Sequence, residues 1–375
     1  MAATDPKTLR KELHQYPENS GEETETAKRI SDELQALNPD TLTTGIGKHG
    51  MTASFEGKEK GREIVIRAEL DALPIHEELS IDHRSKTENV SHKCGHDGHM
   101  AIALAVAHHF SKNKPAKGKV TLLFQPAEET GQGAMWMLED KQLKIQEDAL
   151  IFALHNIPGK PLHSIHCKEA VFASASRGMV IKLQGKSSHA AEPEKGKNPA
   201  AALAKILTDI PKLTNRDDDD FQLVTPIHAQ LGKEAFGTSP GDAVAMFTLR
   251  TYENNQMDQL LEKVEEIAQK HAAEYQLEAE ITYKETFEST YNAPEAVKMI
   301  EQAAKNNELD YNEVSAPFLW SEDFGYFTNR YEGAMFGLGA GDDQPPLHHP
   351  DYDFPDELIE SGSKMFITII EQELC

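Results

Sequence analysis

The chain has 375 residues, 38 Lys and Arg against 62 Asp and Glu, a formal net charge of -24, and 39% hydrophobic residues. That length supports one large or two moderate domains with ample core material, and the acidic balance argues against nucleic acid or anionic membrane as the main partner, because phosphate binding depends on basic surface. The sequence is polar from Thr4 onward, with no apolar span of about 18 residues and no secretory hydrophobic region; its three cysteines do not make a disulfide framework, so a reducing cytoplasm is the expected location.

The first strand to stand out is Glu63 to Leu70, a nearly continuous apolar run that ends at Asp71. The segment Cys94-Gly95-His96-Asp97-Gly98-His99 follows, ahead of Met100 to Phe110, which has helix-forming composition and length. Gly95 and Gly98 are expected to let the backbone turn tightly at the helix entrance, with Asp97 near the amino terminus and Cys94 and His96 on a loop. A second strand, Lys119 to Gln125, ends at Pro126-Ala127-Glu128-Glu129, and a third, Asp148 to Leu154, ends at His155. Short apolar runs separated by helical segments predict parallel strands buried on both faces. In such a sheet the carboxyl ends share one edge, where ligands bind, so Asp71, Glu128, Glu129 and His155 should converge.

Further along, Arg177 to Lys186 alternates as a strand with one exposed face should. A helix is expected over Ala200 to Leu207, then a charged turn over Asn215 to Asp220 whose four aspartates read as a solvated loop. Ala243 to Thr251 reads as a strand and Gln256 to His271 as an amphipathic helix. This strand and helix alternation predicts an α+β sandwich inserted at 175–287, leaving 1–174 and 288–375 as one discontinuous domain. A late strand, Phe336 to Gly341, leads to Pro345-Pro346-Leu347-His348-His349-Pro350, where prolines present a histidine stiffly.

Cys94, His96, Glu128, Glu129, His155 and the late histidine gather a thiolate, imidazoles and carboxylates. That donor set suits divalent zinc, manganese, cobalt or nickel and points to hydrolysis. Any one of the 17 histidines is by itself an ordinary surface or hydrogen-bonded residue, and His14, His49, His108, His109 and His271 are read so. Cys94 alone reads as a buried small hydrophobe, and Glu128-Glu129 alone as a solvated pair. Their conjunction at successive strand ends is what makes a candidate site.

On these residues the chain resembles the metal-dependent amidohydrolases of the aminoacylase and carboxypeptidase superfamily. The branch includes hippurate hydrolases, auxin-amino-acid amide hydrolases and N-acetyldiaminopimelate deacetylases. The matching stretches are Leu70 to Ile75, Cys94 to Met100, Phe124 to Glu129, Leu154-His155-Asn156, Ser188 to Pro193, Ser321-Glu322-Asp323-Phe324 and Leu347-His348-His349-Pro350. They occur in family order and span nearly the whole chain.

The resemblance implies an α/β fold, a mainly parallel-sheet dinuclear metallohydrolase catalytic domain with an inserted α+β sandwich lid/dimerisation domain. It implies two divalent metal ions (Zn, Mn, Ni or Co) bridged by Cys94, with His96 and His155 completing one site and Glu129 and His348 the other; His349 is the alternative ligand. Glu128 would be the general base and Asp71 the carboxylate that orients a ligand imidazole, fixing its tautomer. His189, on the lid, would reach across a homodimer or higher homo-oligomer to stabilise the tetrahedral intermediate. Arg250 is the candidate for meeting a substrate carboxylate in a bidentate pair.

The implied reaction is hydrolysis of the amide bond of an N-acyl amino acid or related small amide, giving a carboxylate and a free amine. A dipeptidase or small-peptide carboxypeptidase is the alternative enzyme. A metal-binding module without activity is the alternative of another class, and it would have no use for Glu128. Three stretches depart from the family pattern: Ser187-Ser188 where relatives carry glycines, Phe236 to Asp242 where they carry Asn-x-Ile-Pro, and Glu69 where aspartate is common.

Overall fold

A computed structural model describes residues 4–217 and 220–375, so Asp218 and Asp219 of the expected acidic loop lie outside the described residues. The chain divides into two compact units, one running up to Phe172 and including Thr290–Ser315 and Glu322–Cys375, the other comprising Ala173–Ser289 with Ala316–Ser321. Among the described residues no helix is long and apolar enough to cross a membrane.

The first unit is built on an eight-stranded sheet in the order Thr41–Ile46, Gly50–Glu56, Lys117–Gln125, Glu59–Glu69, Leu150–Ile157, Glu332–Gly339, Ile165–Cys167, Tyr311–Glu313. The four central strands run parallel, pairing Ile64 with Val120 and with Leu150, and Glu332 with Leu150. Their apolar runs are buried because helices His96–Lys112, Pro294–Asn306 and Leu358–Leu374 pack over the sheet. Ile64, Ile66, Leu122, Phe124, Phe152 and Phe336 of the strands form one core with Met100, Ile102, Phe110, Ile300, Met365 and Phe366 of the helices. Burying each such side chain contributes roughly 1.5–3 kcal/mol.

Two expected boundaries shift, with consequences for the site. The helix begins at His96 rather than Met100, capped by Gly95 at φ 94°, so His96 is its first residue and not part of a loop. The third strand continues to Ile157, which places His155 inside it rather than past its end. Gly98 serves packing rather than turning: a Cβ there would fall 2.5 Å from the Phe354 ring, whereas one at Gly95 would fall 2.7 Å from Asn156 Oδ1.

The second unit has a four-stranded antiparallel sheet in the order Gln222–Leu231, Asp242–Thr251, Ala175–Gln184, Glu278–Phe287. Its residues Met179, Ile181, Phe247 and Leu249 pack with Leu203 and Ile206 of helix Ala200–Asp209 and with Leu260 and Val264 of helix Asn254–Glu274. Strand Gln222–Leu231 is missing from the sequence reading. It lies at the sheet edge, carries Pro226 with a register shift before His228, and is exposed from Thr225 onward, so it lacks the clean alternation of a half-buried strand.

Candidate metal centre

The parallel strands bring most of the expected donors to one place. Cys94, His96 and His155 offer ligand atoms that all lie within 4.8 Å of one another, and so do Cys94, Glu129 and His348, with Cys94 common to both groups. A third such group is His96, Glu128 and Glu129. Cys94 Sγ lies 3.4 Å from His155 Nε2, and Glu129 Oε1 lies 3.6 Å from His348 Nε2.

Two of the imidazoles, His96 and His155, are oriented from behind. His96 Nδ1 is 2.9 Å from the main-chain oxygen of Asp71 and 3.4 Å from its carboxylate Oδ1, while its Nε2 is buried with no hydrogen-bond partner. Main chain and carboxylate of Asp71 thus both face this ring, the carbonyl more closely. Asp71 Oδ2 in turn accepts from Ser20 Oγ at 2.7 Å and from Glu129 N at 3.0 Å. His155 Nδ1 is 3.0 Å from the Asn156 carbonyl, and burial depresses its pKa to about 3, which keeps the ring neutral as a metal donor must be. His348 stands half exposed in a left-handed backbone conformation, φ 65°. His349 instead accepts the Asp351 amide on its Nδ1 at 3.2 Å, and among the described residues it belongs to none of the clustered donor groups.

The electrostatics fit cations. Around Cys94 lie Glu128, Glu129 and Glu322, and burial together with these carboxylates raises the Cys94 thiol pKa well above its ordinary value. Burial, then Glu322, Glu129, Asp323 and Asp71, likewise holds Glu128 well above the usual carboxylate range. For His96 burial alone would lower the pKa, but Asp71, Glu69 and Glu129 raise it to about 10. Arg67 is the buried counter-charge, pairing with Glu69, with Glu322 at 3.1 Å and with Asp323 at 2.9 Å. The carboxylates outnumber the buried cations Arg67 and His96, and His96 Nε2 and Glu129 Oε1, buried without a hydrogen-bond partner, suit divalent ions.

Several participants lie beyond the sequence-derived site. Glu322 and Asp323 form a cluster with Glu128, their ligand atoms all within 4.8 Å, and Gln125 Nε2 holds both oxygens of Asp323 at 2.7 Å. His99 bridges Glu69 Oε2 at 2.7 Å and Asn156 Oδ1 at 2.6 Å. The available signals were the Ser321 to Phe324 and Cys94 to Met100 stretches, which carry Glu322, Asp323 and His99, and Arg67 and Glu69 inside an otherwise apolar strand, since charges buried on both faces need partners. Of the two ordinary roles expected for His14, surface or hydrogen-bonded, it takes the second: fully buried, it lies 2.8 Å from Asp97 and 3.0 Å from Glu77, and although burial opposes protonation these acids raise its pKa to about 9.

The remaining candidates belong to the second unit. His189 is exposed, pairs across to Thr238, and accepts the Ala191 amide on Nδ1 at 3.1 Å. The Phe236 to Asp242 stretch that departs from the family pattern therefore backs the histidine segment, with Ala190 N donating to the Gly237 carbonyl at 3.0 Å. Arg250 Nη1 donates to the Leu319 carbonyl at 2.9 Å and to Ser321 Oγ at 2.8 Å, and among the described residues it makes no ion pair.

A parallel-sheet unit that gathers thiol, imidazole and carboxylate donors in one place defines a metallohydrolase-like protein. The chain belongs to the Peptidase family M20/M25/M40, which it matches over residues 65–372. It is 31% identical over 368 residues to N-acetyldiaminopimelate deacetylase of Geobacillus sp. strain WCH70, covering 96% of each chain. It is 30% identical over 357 residues to N-acetyl-L-cysteine deacetylase of Bacillus subtilis strain 168, covering 95% of this chain and 85% of the relative. The crystal structure of the Bacillus subtilis YXEP protein, a dinuclear metal binding peptidase of the M20 family, superposes with TM-score 0.83 at 27% identity, covering 98% of this chain and 97% of that one.

Proposed function

We propose that this protein is a dinuclear metal-dependent amidohydrolase that cleaves the amide bond of N-acyl amino acids or related small amides. The observation that carries the reading is Cys94 shared between two ligand groups, with Glu128 in a third beside them. Residues 1–174 and 288–375 would be the catalytic domain and 175–287 the lid and dimerisation domain. Cys94, His96 and His155 would hold one ion and Cys94, Glu129 and His348 the other, a mixed thiolate and imidazole set that suits zinc, manganese, cobalt or nickel. Bound ions would polarise the amide carbonyl and make water more acidic.

The protein's own groups supply the rest. Glu128, its basicity raised by burial and neighbouring carboxylates, takes the proton of the attacking water and delivers it to the departing nitrogen as the C–O bond forms and the C–N bond breaks. Asp71 keeps His96 in the tautomer that frees Nε2. His189, whose Nδ1 already accepts a backbone amide, offers Nε2–H as a donor to the developing oxyanion, supplied from a partner subunit. Arg250, without an acidic partner, takes the substrate carboxylate. The exposed edge strand Gln222–Leu231, with Ile227 60% exposed, is the surface through which two lids would pair. The free Cys94, Cys167 and Cys375 fit a reducing cytoplasm.

The test is a panel of N-acetyl and N-benzoyl amino acids assayed beside dipeptides on protein of measured metal content. Hydrolysis of acyl amino acids that is abolished by chelation and restored by metal is the expected result. Higher kcat/KM on dipeptides than on every acyl amino acid would replace this function with a peptidase.

A further inference from the structure

His348 is the ligand with the least support from regular structure: it sits between strand Glu332–Gly339 and helix Leu358–Leu374, half exposed, in a left-handed conformation. Lys93, immediately before Cys94, meets this loop at two points. Its carbonyl accepts the His348 amide at 2.8 Å, and its Nζ donates to the Tyr352 carbonyl at 2.8 Å. The same Nζ donates to Glu77 Oε1 at 2.6 Å, and the Lys93 side chain is 0% exposed.

A buried ammonium is retained only where its hydrogen bonds and charge are met. Glu77 meets the charge here and is itself fixed by Ser85 N at 2.7 Å and by His14 at 3.0 Å, so the anchor does not swing. At the other end Tyr352 is fully buried and its hydroxyl accepts from Asn156 Nδ2 at 2.6 Å. The loop is thereby gripped at its first residue by the Lys93 backbone and four residues later by the Lys93 side chain, both from the residue next to Cys94.

We propose that Lys93 is a positioning residue: its buried ammonium ties the His348–Tyr352 loop to Glu77 and sets the affinity of the Cys94, Glu129 and His348 ion site without touching an ion. This rests on the proposed reading of the metal centre. Because the clamp holds the His348 loop directly and reaches His155 only at a remove, through Tyr352 and Asn156, it tightens the His348 site far more than the His96 and His155 site. The proposal therefore predicts an uneven effect on the two ions, which a general folding role would not give.

The experiment is titration of the chelator-stripped full chain with Zn²⁺ against a competing chromophoric chelator, on wild type, Lys93→Met, Lys93→Gln and His348→Ala. Two ions in wild type and loss of one in His348→Ala establish the site. In Lys93→Met, one ion should then bind nearly as in wild type and the other about 10- to 100-fold more weakly, the usual size of an outer hydrogen-bond loss. Should Lys93→Met fail to fold, Lys93→Gln, whose amide still donates, should give the same uneven loss to a smaller degree. Equal weakening of both ions, or none, overturns the proposal while leaving the metal centre standing. Retention of both ions by His348→Ala overturns the reading of the centre and the Lys93 proposal with it.

Discussion

Replacing Glu128 with glutamine should separate catalysis from stability, moving them in opposite directions. The amide keeps the shape of the side chain but cannot take a proton from water, and loss of a general base costs about 10² to 10⁴ in rate, or roughly 3 to 5 kcal/mol of barrier. The nearby carboxylates do not substitute: Glu129 belongs to the ligand groups, and Glu322 and Asp323 are committed to Arg67. The same change removes a carboxyl that must either carry a charge or take up a proton among Glu129, Glu322, Asp323 and Asp71, so the metal-free variant should unfold at a higher temperature than metal-free wild type. The sign follows from linkage: Glu128 has a pKa raised above its unfolded value, so the folded state binds the extra proton. Wild-type stability therefore falls as pH rises from the ordinary carboxylate range toward that raised pKa, and the glutamine variant lacks this component. The assays are steady-state kinetics on metal-loaded protein, metal analysis, and thermal melts of chelated protein between pH 5 and 8 (approximate bounds of the usual stability range). Activity within threefold of wild type, or an unchanged pH dependence of the metal-free melts, would refute the argument.

Cys94→Ser should lose at least one of two ions by elemental analysis, because a neutral hydroxyl is a poor bridging donor, and the remaining affinity should fall with acidification as the other ligands take up protons; two tightly held ions in this variant would exclude Cys94 as the bridge. For His189, mixing His189→Ala chains with Glu128→Gln chains should restore roughly a quarter of wild-type sites under free exchange, since random pairing makes half the dimers mixed and each mixed dimer has one intact site. A mixture as inactive as either parent, with heterodimers demonstrated, would place His189 in its own chain's site or outside catalysis.

Much of the centre is legible in the sequence because parallel strands impose their own convergence. Apolar runs ending near Asp71, Glu128 and His155 put those residues on one edge wherever the intervening helices lie. What stays hidden is the buried charge beneath. Arg67 and Glu69 interrupt an apolar strand, but pattern alone does not pair them with Glu322, Asp323 and His99, which come from distant segments. His14 is hidden for a related reason: its burial depends on Asp97 and Glu77, contacts across 83 and 63 residues that no local periodicity encodes. Strand Gln222–Leu231 escapes because an edge strand tolerates proline and needs no apolar face along most of its length.

The irregular segments of the centre share one device. Ala127 and His348 are both non-glycine residues with positive φ, at 50° and 65°, a conformation that persists only where the surroundings over-determine it. Each has its amide held from a neighbouring element, Ala127 N by Glu23 Oε1 at 2.8 Å and His348 N by the Lys93 carbonyl at 2.8 Å. Glu23 is fully buried, and burial and Asp71 push its pKa up to about 7, so this support carries an electrostatic cost of its own. Strained backbone beside Glu128 and at His348, and a surplus of buried carboxylate, work against stability in the metal-free chain. The fold tolerates them together because the large apolar core beneath the strand ends is independent of them, and cations bound at the centre would offset the largest of these costs.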